Sequence, residues 1–278
     1  MGHNQQKKIA VINDFCGFGR CSLTVSLPII SALKVQCCPI PTAVFSNHTA
    51  YDSFFYTDYT GHMEAYIEEW KKLNLRFEGI VSGFLGSPEQ IGTVKSFLEY
   101  FKDERTVTVI DPVMGDGGRL YTTYAPELAK QMKALLPYAD ILTPNLTEAC
   151  ILTETEYKET MNDTELTVLC EKLAAMGPKK IVISGLERNG KLDNFVYEEG
   201  ETPLVITEPK IGPSRAGTGD VFSSVIAADA VNGVGFAESV RHAAKFISKV
   251  LGRAVELEIP TTDGICFEEF LSEIGEGV

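Results

Sequence analysis

The sequence predicts an α/β protein, a three-layer α/β/α sandwich around a central, mostly parallel sheet. Three observations predict it. Short apolar runs alternate with segments of helical periodicity from Ile9 to Ser184, the order that builds parallel strands covered by helices on both faces. Several of those runs end in Gly, Asp, Asn or Pro, where ligands bind in such sheets. No long linker, low-complexity tract or internal repeat interrupts the chain, so residues 1–278 are expected to form one domain.

The elements follow in order. Ile9–Ile12 reads as a buried strand running into a polar loop at Asn13-Asp14, followed by Gly17, Gly19 and a helical segment from about Ser22 to Leu33. A second apolar stretch covers Val35 to Phe45. Met63, Tyr66, Ile67, Trp70 and Leu73 then share one helix face. Gly79 to Gly83 reads as a strand and its terminal loop. Ser87 caps the next helix, with Pro88 at its first position and an apolar face of Ile91, Val94, Phe97, Leu98 and Phe101.

Val107–Ile110 reads as a strand that runs into Asp111-Pro112. Pro126 opens a helix carrying Leu128, Met132 and Leu135, and Ala139–Leu142 returns to strand. Glu165 to Met176 is helical and Lys180–Ser184 is a strand. Residues 188–215 differ in texture: Asn189-Gly190 is a hairpin turn between short strands that include Phe195–Tyr197 and Val205-Ile206. This stretch is expected to be an antiparallel edge that flanks the site.

Composition narrows the function classes. Hydrophobic types make up 44% and charged types 23%, with 25 basic against 38 acidic residues and a net charge of −13. That balance argues against nucleic acid as a partner, which calls for a basic footprint, while leaving a local anion site open. The seven cysteines have no zinc spacing and read as reduced thiols of a cytoplasmic protein. The polar start has no signal-peptide core, and the Cys21–Leu33 stretch, broken by Pro28, is too short to span a bilayer. Neither a membrane nor nucleic acid is expected as a partner.

Three segments carry chemistry. Ala216-Gly217-Thr218-Gly219-Asp220 precedes an apolar, helix-compatible run, so backbone N–H groups at a helix start can converge on an anion. A carboxylate in that first turn suits the acceptance of a proton from an alcohol; the plainer alternative is a cap behind a flexible turn. Asp111-Pro-Val-Met-Gly-Asp116 puts two carboxylates beyond a strand, able to approach a hydrated Mg²⁺, or forms an ordinary Asp-Pro turn. Thr143-Pro-Asn145-Leu-Thr-Glu148 offers Asn145 to a phosphate and Glu148 to a metal-bound water; Glu148 could instead be a helix N-terminal charge.

Together the three make the parts list of phosphoryl transfer. There is no Gly-x-x-x-x-Gly-Lys-Ser/Thr loop, no dinucleotide fingerprint and no nucleophile elbow. Ser46-Asn47-His48-Thr49-Ala50-Tyr51 gathers hydroxyls, an amide, an imidazole and a phenol, which suits a polar aromatic ligand. The nearby Phe54, Phe55, Tyr56 and Tyr59 could cover substrate or pack a subunit interface.

Taken in order, Ser46–Tyr51, Asp111–Asp116, Thr143–Glu148 and Gly217–Asp220 resemble the pyridoxal (vitamin B6) kinases of the ribokinase-like superfamily, over about residues 8 to 252. The resemblance implies ATP and Mg²⁺, with a monovalent cation such as K⁺, a B6 vitamer as substrate, and a homodimer without a large lid domain. By the same resemblance Asp220 is the base for the 5′-hydroxymethyl group, and the backbone of Gly217, Thr218 and Gly219 is the anion hole. Asp111, Asp116 and Glu148 surround metal and phosphates, and Asn145 and Tyr121 contact phosphate. Ser184 approaches the nucleotide, the 188–215 edge flanks it as a flap, and Ser46, His48 and Thr49 line the vitamer site.

One departure stands out. Family members commonly end the first strand in Gln-Ser, the serine bonding the pyridine ring, where this chain has Asn13-Asp14. Asp14 could pair with a protonated ring nitrogen or an amine. That leaves open a hydroxymethylpyrimidine kinase, a close relative whose substrate is an aminopyrimidine.

Overall fold

The computed structural model describes residues 2–121, 124 and 126–275. The chain runs β1 (Lys8–Phe18), α1 (Leu23–Ala32), β2 (Gln36–Asn47), β3 (Tyr56–Asp58), α2 (Thr60–Lys72), β4 (Gly79–Ser82) and α3 (Pro88–Phe101). It continues through β5 (Val107–Ile110), the short pair β6 (Gly115–Asp116) and β7 (Arg119–Leu120), α4 (Pro126–Gln131), β8 (Ile141–Leu142), α5 (Leu146–Thr153) and α6 (Asp163–Ala174). The last part is β9 (Lys180–Arg188), β10 (Lys191–Glu198), β11 (Leu204–Pro209), α7 (Thr218–Asn232) and α8 (Phe236–Glu256).

Nine strands form one sheet in the order β11-β10-β9-β8-β5-β4-β1-β2-β3. The six central strands are parallel. The expected antiparallel edge is present: β9, β10 and β11 pair in turn through the Asn189-Gly190 hairpin. The opposite edge, β3 antiparallel to β2, has no counterpart in the sequence reading.

Period-two alternation divides the core between two faces. Ala10, Ile12, Ile80, Ile110, Leu142, Ile181 and Ile183 pack on one side with α2 to α6. Ile9, Val11, Val81, Val109, Ile141 and Val182 pack on the other with α1, α7 and α8. These near-continuous apolar strands are what burial on both faces demands. The cap at Ser87 is as expected: its side chain accepts the Gln90 N–H, and Pro88 opens α3.

Two expectations need correction. The helix from Pro126 stops at Gln131 and tightens into a 3₁₀ stretch, Met132–Tyr138, in which Pro137 lacks the N–H a longer α-helix would use. Asn13-Asp14 is not a loop: β1 runs on to Phe18, with a register irregularity between Asn13 and Phe15. Polar residues are accommodated there because β1 and β2 outrun β4, whose last partner on β1 is Ile12. The extra length, with β3, projects beyond the sheet as a ribbon.

Candidate active site

The order of strands sets the location. From β1 the chain steps outward to β2, and then to β4 on the other side of β1. The crevice beyond the carboxyl ends of β1 and β4 is therefore a topological switch point, where such sheets bind ligands. Asn13 and Asp14 stand at its mouth, both buried.

Asn13 is pinned on three sides. Its Oδ1 accepts the backbone N–H of Phe84 (2.9 Å) and of Asp14 (3.0 Å), which turns its Nδ2 to donate to Asp220 Oδ1 at 3.1 Å. Gly83 makes room for it: a Cβ there would lie 2.6 Å from Asn13 Nδ2. Asp14 Oδ1 accepts from Ser22 Oγ at 2.6 Å. Burial pushes the Asp14 carboxyl up to about 7; the Ser22 hydroxyl opposes this and the Asp220 charge adds to it.

Asp220 sits in the first turn of α7, whose N-cap is Gly217 at φ 82°. That left-handed conformation favours glycine, and a side chain at Gly217 would collide with the Arg20 carbonyl oxygen. The opening N–H groups of α7 have no intrahelical acceptors, as at any helix start. Desolvation in the crevice raises the Asp220 carboxyl above its ordinary value, while the Ser22 N–H and the Asn13 amide pull it back. Asp220 and the opening N–H groups of α7 thus share one helix turn.

The Asp111–Asp116 and Asn145–Glu148 segments meet at the ends of β5 and β8. Glu148 is buried; its Oε1 accepts the Met114 N–H (3.0 Å) and its Oε2 the Asn145 N–H (2.9 Å). Asn145 returns a capping box by accepting the Glu148 N–H, and its Nδ2 donates to Gly115 O at 2.7 Å. Both residues therefore serve the structure, capping α5 and tying it to the Asp111 loop. The plainer sequence alternative for Glu148 holds at the level of geometry.

Burial pushes Glu148 up to about 8 and Asp111 well above the usual carboxylate range, and neighbouring carboxylates push each further. Asp116 is exposed, accepting its neighbour Gly117's N–H. Among the described residues no three His, Cys, Asp or Glu side chains converge as a metal site. An oxygen-only set with buried, mutually repelling carboxylates fits Mg²⁺, which takes few protein ligands and completes its shell with water and phosphate.

Tyr121 is 44% exposed; desolvation, followed by the charges of Glu148, Asp116, Asp111 and Asp220, raises its hydroxyl. Ser184 is bridged to Asn145, with its N–H on Pro144 O at 3.0 Å.

The Ser46–Tyr51 segment is less open to ligand than its composition suggests. Ser46 Oγ donates to Asn47 Oδ1 and accepts the Phe55 N–H, closing the ribbon's turn. His48 Nε2 lies 2.6 Å from Thr262 O, and Thr49 is exposed. Phe45 stacks on Tyr56 at 5.2 Å, and buried Cys16 and Cys21 pack with Phe45 and Phe84 beneath the ribbon. All seven cysteines are free thiols.

The phosphomethylpyrimidine kinase family matches residues 27–262. The chain belongs to that family. It is 28% identical over 233 residues to a pyridoxal kinase of Actinobacillus pleuropneumoniae, covering 79% of each chain. A Bacteroides thetaiotaomicron protein, provisionally described as a phosphomethylpyrimidine kinase, superposes with a TM-score of 0.96 at 38% identity, over 99% of this chain and 96% of that one. A second crystal form of the Bacteroides protein holds pyridoxal, and superposes at 0.91 with 37% identity over 97% of this chain and 96% of that one. The fold is also that of the Lactobacillus plantarum pyridoxal kinase, TM-score 0.89 at 24% identity over 98% and 97% of the two chains. The resemblance to B6 kinases, drawn from four short motifs, is thus upheld by a relative that matches 79% of the chain. Among the described residues no helix is long and apolar enough to cross a membrane.

Sequence reasoning missed Asn13, whose amide holds the Asp220 carboxylate. Its only signal was its place directly after a buried strand, which the polar pair Asn13-Asp14 disguised as a turn. Also missed was the segment after α8, which contacts three of the loops around the crevice.

Proposed function

We propose that the protein transfers the γ-phosphoryl group of ATP to the 5′-hydroxymethyl group of a B6 vitamer, with pyridoxal the leading substrate. One observation supports this reading: Asp220 stands in the same helix turn as the opening backbone N–H groups of α7, its carboxylate held by the Asn13 amide and the Ser22 N–H at the crevice. The alcohol oxygen approaches the γ-phosphorus in line, and Asp220 accepts its proton as the bond forms. The N–H groups of Gly217, Thr218 and Gly219 receive the charge on the transferring oxygens.

Asp111, with Asp116 and Glu148 through water, would hold Mg²⁺, which when bound neutralises donor-phosphate charge. Asn145, Tyr121 and Ser184 line the nucleotide side, flanked by residues 188–215. Asp14, His48 and Thr49 line the vitamer side, while Ser46 acts through the turn it closes. We take residues 1–278 as one kinase domain acting as a cytoplasmic homodimer, with K⁺ as its monovalent cation.

A second reading has its own support. The matched family is described by its phosphomethylpyrimidine activity, and a carboxylate at Asp14 suits the amino group and ring nitrogen of an aminopyrimidine.

The deciding experiment offers pyridoxal, pyridoxamine, pyridoxine and hydroxymethylpyrimidine in parallel with MgATP, detects product by mass, and uses Asp220→Ala as control. Efficient phosphorylation of B6 vitamers by the unaltered protein alone is expected. Product from the pyrimidine alone would move the assignment to the second reading. No product from any of the four would overturn both.

A further inference from the structure

Residues 259–264, which follow α8, lie outside every motif yet join both sides of the crevice. On the phosphate side, the buried Arg215, two residues before Gly217, donates from Nη1 to Ile259 O at 2.7 Å and to Pro260 O at 3.1 Å. On the alcohol side, His48 Nε2 meets Thr262 O at 2.6 Å, and Tyr51 Oη donates to Asp263 Oδ1 at 2.9 Å. Between them, Arg20 donates its backbone N–H (3.2 Å) and Nη1 (3.1 Å) to Asp263 O.

The join is tight. Gly264 has φ 80°, and a Cβ on it would lie 2.8 Å from Arg20 O and 3.1 Å from Ala216 O. The Gly217 position is closed by the same Arg20 carbonyl. Three backbones, from the loop after β1, the anion loop and this segment, therefore touch with no side chain between them. Close-packed groups of this kind shift together or not at all.

We infer that residues 259–264 form a clasp that couples nucleotide binding at Gly217–Asp220 to the ordering of the Ser46–Tyr51 loop, with Tyr51 as the positioning residue on the alcohol side. Coupling of this kind is reciprocal: a nucleotide that steadies the anion loop favours the closed vitamer loop, and a bound vitamer favours nucleotide. The inference rests on the kinase reading, but its test needs no knowledge of the alcohol.

The test is amide hydrogen exchange on the full chain, with and without a non-hydrolysable ATP analogue and Mg²⁺, for the unaltered protein, Tyr51→Phe, Asp263→Ala and the double variant. In the unaltered protein the analogue is expected to slow exchange at residues 217–222 and, at a distance, at 46–55 by about 5-fold, the factor matching one hydrogen bond of ~1 kcal/mol. In each variant protection at 217–222 persists while that at 46–55 is diminished, only the His48–Thr262 contact still linking that loop to the clasp. The double variant loses no more than Asp263→Ala alone, because the Tyr51–Asp263 bond is already broken there.

Undiminished protection of 46–55 in Tyr51→Phe overturns the clasp. So does protection confined to 217–222 in the unaltered protein. A lower melting temperature with transmission intact would mark a merely structural bond and also overturn it. Absence of protection at 217–222 in the unaltered protein is a different result: it removes the nucleotide site itself, and the clasp with it.

Discussion

Two pairs of carboxylates flank the crevice, and they are held in different ways. In one pair both Glu148 oxygens are filled by backbone N–H groups, and Asp111 meets the Ser223 hydroxyl. In the other, Asp14 accepts the Ser22 hydroxyl, and Asp220 accepts the Asn13 amide and the Ser22 N–H. The charge of Asp220 raises the carboxyl values of both Asp14 and Asp111, after their own burial. On the proposed function, the backbone-filled Glu148 serves charge compensation, while the side-chain contacts of Asp14 and Asp220 leave their basicity open to tuning by a single substitution.

The comparison can be broken at its strongest point first. Asp220→Ala is expected to lower kcat on the order of 10²-fold or more, the scale of a positioned proton acceptor, with ATP affinity by calorimetry nearly unchanged. Near-normal kcat at saturating substrates would remove Asp220 from the reaction. On the other side, Asp111→Asn should raise the Mg²⁺ concentration for half-maximal rate by roughly 10-fold, leaving the vitamer KM in place. An unchanged Mg²⁺ dependence would dissolve the distinction between the pairs.

Asn13→Ala sharpens the alcohol side. The hydrogen bond it removes favours the ionised Asp220, so the acidic limb of kcat/KM should move to higher pH. The rate at pH 6 should fall roughly 5-fold, one hydrogen bond's worth. A uniform loss at every pH would show that Asn13 only packs.

The smallest effect concerns stability. Asp14 and Glu148 have folded values of about 7 and 8, above their ordinary 3.8 and 4.5. Between those limits the folded chain binds more protons than the unfolded one, so stability falls as pH rises from about 4 to about 8. Melting temperature without nucleotide or Mg²⁺ should be lower at pH 8.5 than at 6, and Glu148→Gln should flatten the slope. A Tm that rises over this range in the unaltered protein would contradict the burial of these groups.

The fold was legible wherever a local rule wrote it. Apolar runs marked the buried parallel strands, and Ser87-Pro88 marked the start of α3. Asn189-Gly190 marked the antiparallel edge. The helix start at Gly217, with Asp220 in its first turn, was legible because small glycines precede an apolar, helix-compatible run. Asn13 was not, because its meaning depends on Phe84 and Asp220, distant in the chain. The three exposed residues of β3 have no apolar alternation to reveal them. Ser46 and His48 looked like free ligand donors because composition cannot show that their polar atoms are already engaged with Asn47, Phe55 and Thr262.

The Asn13–Asp220 contact joins residues 207 positions apart, and its consequence lies in how the molecule is made. Contacts of such long sequence separation close slowly, because the intervening loop must be ordered first. The Asn13–Asp220 contact is therefore expected to form late, after α7 has been made. In refolding, activity should return no earlier than the slowest spectroscopic phase, and recovery ahead of it would show the two ends of the chain meeting first.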